Sequence, residues 1–118
     1  MHGGRIASQI AAAGEPNLAG LVFLGYPLHP PGKLDQLRAK HLSDIKVPML
    51  FVQGSRDPFG TPDELRPIVQ KLKVRTELYV VAGGDHSFKV LKRARITQVE
   101  SDKAALDHIE QWLRNFVT

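Results

Sequence analysis

Three short apolar runs set at intervals along the chain restrict what it can fold into more than any other feature. The first is Gly20-Leu21-Val22-Phe23-Leu24-Gly25, the second Val47-Pro48-Met49-Leu50-Phe51-Val52, and the third Thr76 to Ala82, TELYVVA, ended by Gly83-Gly84. A continuous apolar run a few residues long, bounded by turn residues, is the pattern of a strand buried on both faces of a parallel sheet. Pro48 stands at the beginning of its run, where a missing N–H is tolerated. Parallel neighbours need crossover connections, and the segments between the runs supply them. GRIASQIAAA, from Gly4 to Ala13, is alanine-rich with Ile6 and Ile10 four apart, which predicts a short helix closed by Gly14 and Pro16. Asp35 to Asp44 has room for one or two helical turns. Thr61-Pro62-Asp63-Glu64 is a capping box with proline at the first helical position, predicting a helix from about Pro62 to Lys71 or Leu72. Ser101 or Asp102 is the expected cap of a last helix, whose Leu106, Ile109, Leu113 and Phe116 recur at helical spacing with Trp112 beside them. The alternation predicts an α/β fold: a three-layer sandwich with a short parallel sheet of about three strands, flanked by helices and joined by right-handed crossovers. Residues 1–118 are expected to form a single domain.

Composition removes several functional classes. With 42% hydrophobic and 24% charged residues in 118, the chain has the make-up of an ordinary globular domain. No run approaches the roughly 18 apolar residues of a membrane span, so no membrane association and a cytoplasmic location are expected. The absence of cysteine excludes disulfides, thiolate metal sites and a cysteine nucleophile. A formal net charge of +4 permits weak attraction to anions. Its densest cluster, Lys89, Lys92, Arg93 and Arg95, lacks the interleaved aromatics of a strand-binding platform and reads as a solvated face; nucleic acid is not an expected partner. His2, His29, His41 and His108 are not spaced as a metal cluster, and neither Gly3-Gly4 nor Gly83-Gly84 continues into a phosphate-binding signature. Neither metal nor cofactor is expected.

Chemistry in an open parallel sheet belongs just beyond the C-terminal ends of the strands. Those places hold YPLHPPGK (Tyr26 to Lys33), GSRDPFG (Gly54 to Gly60) and GGDHSF (Gly83 to Phe88). The last two bring Asp57 and His86 to one rim in the patterns G-x-x-D and G-x-x-H. An aspartate that accepts from one imidazole nitrogen fixes the tautomer and leaves the other nitrogen free to take a proton. Each residue also has a structural alternative: Asp57 as a loop aspartate bonding nearby amides, His86 as an exposed loop histidine. Asp85 is a rival partner for His86.

Together the segments FVQGSRDPFGTPDEL, VVAGGDHSF and GLVFLGYPLHPPGK resemble the acid, histidine and intervening segments of bacterial α/β-hydrolases of the dienelactone-hydrolase-like group, over nearly the whole chain. The resemblance implies that the chain is the C-terminal half of that fold, with HGGRIASQIAAAG as the helix leaving a nucleophile elbow of the form G-x-S-x-G. Aligned in this way Met1 stands at the serine and His2 follows it, so the usual nucleophile is expected to be missing. Ser87 and Ser55 are the candidate substitutes, offered by a second subunit; water activated by His86 is another route. The expected function is a small carboxylic ester hydrolase acting on short acyl esters, with His86 as general base and Asp57 orienting it. The alternative is an inactive truncated hydrolase serving as an oligomerising or binding scaffold. In either case the apolar edge of the Gly20 to Gly25 strand is expected to pair with a second copy as a homodimer.

Overall fold

In the computed structural model, which describes residues 20–93 and 95–117, the apolar runs become three parallel strands, β1 (Leu21–Leu24), β2 (Met49–Gly54) and β3 (Thr76–Val81). They lie in the order β1-β2-β3, with Leu21 beside Met49 and Met49 beside Thr76. β2 begins two residues later than its apolar run and continues through Gln53 and Gly54. Pro48 has no N–H for the ladder and instead offers its carbonyl to Leu21 N at 3.0 Å.

Every residue of β2 is buried, because both faces of the sheet are covered. Successive strand residues point to opposite sides. Phe23, Met49 and Phe51 pack with Tyr26, Leu28, Leu42, Ile45 and Leu65 on one face, while Leu50, Val52, Val81 and Trp112 pack together on the other. Helix α1 (Pro62–Lys71) contributes Leu65 and Ile68 to the first cluster, and helix α2 (Gln98–Val117) contributes Trp112, Ala105 and Ile109 to the second. The three-layer α/β architecture expected from the strand and helix alternation is therefore present. Each fully buried Leu or Phe in these clusters contributes about 1.5–3 kcal/mol.

The α1 capping box forms as expected: Thr61 Oγ1 accepts from Glu64 N at 3.3 Å, and Glu64 Oε1 accepts from Thr61 N at 2.9 Å. The segment from Asp35 to Asp44 holds a single 3-10 turn, Lys40–Asp44, which buries Leu42. Helix α2 corrects two expectations. It begins before Ser101 and Asp102, and Thr97 is its cap: Glu100 N donates to Thr97 Oγ1 at 3.1 Å and Thr97 N to Glu100 Oε1 at 3.2 Å, a second capping box. Its buried face also differs from the expected stripe, since Leu106 is 65% and Leu113 47% exposed whereas Trp112 is 3% exposed. The expected helix from Gly4 to Ala13 lies outside the described residues. Among the described residues no helix is long and apolar enough to cross a membrane.

Candidate active site

The loop after β2 and the loop after β3 are pressed together at the C-terminal edge of the sheet. A Cβ at Gly54 would overlap the carbonyl oxygens of Gly84 and Asp85, so only glycine permits this approach. Backbone hydrogen bonds then join the loops, from Ser55 N to Val81 O at 3.1 Å and from Arg56 N to Gly84 O at 2.8 Å. The Arg56 guanidinium adds bonds to Gly83 O and Lys89 O. From the third side comes Gly25, at φ +73, where a Cβ would sit 3.0 Å from His86 O and 3.4 Å from the imidazole Nδ1.

This packing brings Asp57 and His86 together. Asp57 Oδ2 lies 2.7 Å from His86 Nδ1. A carboxylate accepts, so Nδ1 carries a proton, and in the neutral imidazole Nε2 then holds the lone pair. The other oxygen, Oδ1, accepts from Phe59 N at 2.8 Å, and Gln53 Nε2 approaches Oδ2 at 3.3 Å. The Asp57 side chain is fully buried and that of His86 15% exposed. The Phe59 ring lies against the imidazole, centroids 4.4 Å apart and planes tilted by 35°. No described residue hydrogen-bonds to His86 Nε2. The arrangement is chemically able to take a proton at Nε2 while the buried carboxylate stabilises the resulting imidazolium.

Asp85, the sequence neighbour, is not the partner. Its Oδ1 accepts from Ser87 N at 2.8 Å and Lys89 N at 3.0 Å, closing its own turn. The Lys89 N–H, then that of Ser87 and the charges of Arg56 and Lys89, hold its carboxyl below the ordinary aspartate range against the upward push of burial. Ser55 Oγ accepts from Gly83 N at 2.7 Å, and Ser87 is exposed. Neither serine hydroxyl is bonded to His86 among the described residues, so the structure does not bring these candidate nucleophiles into the pair. Met1 and His2 lie outside the described residues.

Two further polar groups lie at the rim: Gln53, which escaped the sequence reading, and His29, which was read only as no part of a metal cluster. Gln53 is fully buried beneath Asp57; its one visible signal was an amide at the end of an otherwise apolar run. His29 is 1% exposed, with Nε2 at 2.8 Å from Glu64 Oε2 and Nδ1 at 2.8 Å from Pro30 O. Its N–H donates to Phe59 O at 2.9 Å, tying the loop after β1 to the residue that packs on His86. His41 meets the Tyr26 hydroxyl and His108 pairs with Glu77 under the Tyr79 ring, both away from Asp57. Among the described residues no group of three His, Cys, Asp or Glu side chains could hold a metal ion.

Comparison with known proteins gives this geometry a family. A family model described as "Alpha/beta hydrolase domain" matches residues 1–114. The structure of an alpha-beta serine hydrolase homologue from Coxiella burnetii is similar with a TM-score of 0.57 and 17% identity, over 96% of this chain and 44% of that one. The likeness is one of fold, and the chain spans less than half the length of that relative.

Proposed function

Because the chain belongs to the alpha/beta hydrolase domain family, we propose that it is a carboxylic ester hydrolase acting on short acyl esters, with His86 as general base and Asp57 orienting it. The observation that carries this reading is the 2.7 Å contact of buried Asp57 Oδ2 with His86 Nδ1. In this reading Nε2 removes a proton from a water or hydroxyl as its oxygen attacks the acyl carbon. The tetrahedral intermediate then expels the alkoxide by breaking the C–O bond, and His86 returns the proton to the alkoxide, releasing the alcohol. When water attacks, the other product is the free acid. When a hydroxyl attacks, the acyl group is left on it as a new ester, which a water deprotonated at the same Nε2 hydrolyses to the acid, the proton returning to the hydroxyl. Ser55 and Ser87 enter only from a second copy of the chain. Residues 1–118 are read as one domain, equivalent to the later part of a dienelactone-hydrolase-like fold, because the acid and histidine loops follow successive strands in that order.

The test is hydrolysis of p-nitrophenyl acetate and butyrate. General-base catalysis contributes about 10²–10⁴-fold, and His86→Ala is expected to lower turnover by that factor. Turnover unchanged in His86→Ala would overturn the role. A second reading, an oligomerising or binding scaffold, is favoured by β1 lying at the edge of the described sheet with Leu24 48% exposed. Self-association without ester hydrolysis above buffer supports that reading instead.

A further inference from the structure

Gln53 is the single polar side chain of β2 and is 0% exposed. A buried amide is tolerated only when its polar atoms are bonded, and here the surroundings dictate its orientation. Oε1 accepts from Tyr26 N at 2.9 Å; Nε2 faces Gly60 O at 2.8 Å, Tyr26 O at 3.0 Å and Asp57 Oδ2 at 3.3 Å. A flipped amide would set its oxygen against two carbonyls and a carboxylate. The oxygen that Gln53 approaches on Asp57 is the same one that accepts from His86 Nδ1.

We infer that Gln53 is a positioning residue for the Asp57–His86 pair: it clamps the loop after β1 to the acid loop and, by donating to Asp57 Oδ2, sets how firmly that oxygen holds the His86 proton. This rests on the reading of His86 as general base. Two donors on one carboxylate oxygen share its charge. Without the amide, Oδ2 serves His86 alone and stabilises the imidazolium more strongly. The other charged groups near this corner are engaged elsewhere: Asp85 caps its own turn, and Arg56 reaches Gly83 O and Lys89 O. The loop after β1 brings Gly25 and Tyr26 here, the Tyr26 hydroxyl donating to Arg38 O, and His29 of the same loop pairs with Glu64.

Gln53→Met keeps similar bulk without donor or acceptor. Following the His86 ring by NMR, assigned through His86→Ala, should show its titration midpoint rising by about half a pH unit or more in Gln53→Met. On p-nitrophenyl butyrate, kcat should fall about tenfold with KM changed less than about twofold. Because Gln53→Met also removes the acceptor of Tyr26 N, the unsubstituted protein supplies a second readout: the Gln53 side-chain amide resonances should titrate with the same midpoint as His86. A folded Gln53→Met with an unmoved or lowered His86 midpoint overturns the inference, as do Gln53 resonances indifferent to His86. If the unsubstituted protein hydrolyses no ester, the hydrolase reading fails while both titrations still decide the role of Gln53.

Discussion

Gly25 shows how narrowly a single residue sets the site. At φ +73 it occupies a conformation that costs an L-residue about 1–2 kcal/mol. An added methyl would also press on His86 O, 3.0 Å away. Gly25→Ala is therefore expected to lose about 1–2 kcal/mol in urea denaturation and to lower ester turnover by displacing the histidine loop; a variant of parental stability and activity would show that the contact carries no constraint. At this scale the sequence revealed which residues face the rim but not how they pair. Asp57 and His86 stand out because each follows a strand at a glycine-led interval. The sequence favours Asp57 over its rival Asp85 as the partner of His86, but which way each carboxylate turns is decided only where the two loops meet. Asp85 spends its carboxylate on Ser87 and Lys89 N–H groups, whereas Asp57, 29 residues from His86, is aimed across the gap. Gln53 and His29 find partners 27 to 35 residues away, and no local spacing encodes such distances.

At the scale of elements, the start of α1 was foretold, while both the start and the buried face of α2 differ from the expectation. The Thr61–Glu64 box marks the start of α1, and Thr97-Gln98-Val99-Glu100 carries the same pattern before α2, so that start was equally readable. The phase of α2 was not. Two stripes fit its periodicity, and contact with the sheet selects the one carrying Ser101, Ala105 and Trp112, whose small residues let the helix approach while the indole lies against Gly20, where an added Cβ would meet it at 3.1 Å. Trp112→Ala should accordingly cost about 3–5 kcal/mol and Leu106→Ala less than about 1 kcal/mol; equal losses would restore the other stripe. Glu64 links α1 to the rim. Burial pushes its carboxyl up, but the Thr61 N–H, then the hydrogen bond and charge of His29, outweigh it and leave the group below the ordinary glutamate range. A value depressed on folding gives stability that is present at neutral pH, above the unfolded value, and is lost as pH falls through the folded one. Glu64→Gln should therefore be less stable than the parent at pH 7, with the gap in urea midpoint closing below about pH 4.3. A gap that widens in acid would refute the linkage.

For the whole molecule, the three-layer plan was legible because it depends on the order of apolar runs and breakers, which chain sequence records directly. What covers its boundary is a different matter, since an edge strand reads the same whether or not something lies beside it. β1 forms one edge of the described sheet, and a cavity of about 230 Å³ lined by Leu24, Val52, Val81, Phe88, Leu106 and Ile109 opens next to it. Apolar edges with free peptide groups recruit further strands, and a lysine on such a strand is a recurrent means of preventing it. If a second copy pairs along β1, the protein should sediment as a dimer at micromolar concentration. Leu24→Lys, at a side chain already 48% exposed in the single chain, should shift it toward monomer with little loss of fold. A parent protein that is monomeric throughout that range, or a Leu24→Lys variant that associates as strongly, would place the covering of this edge somewhere other than a second copy.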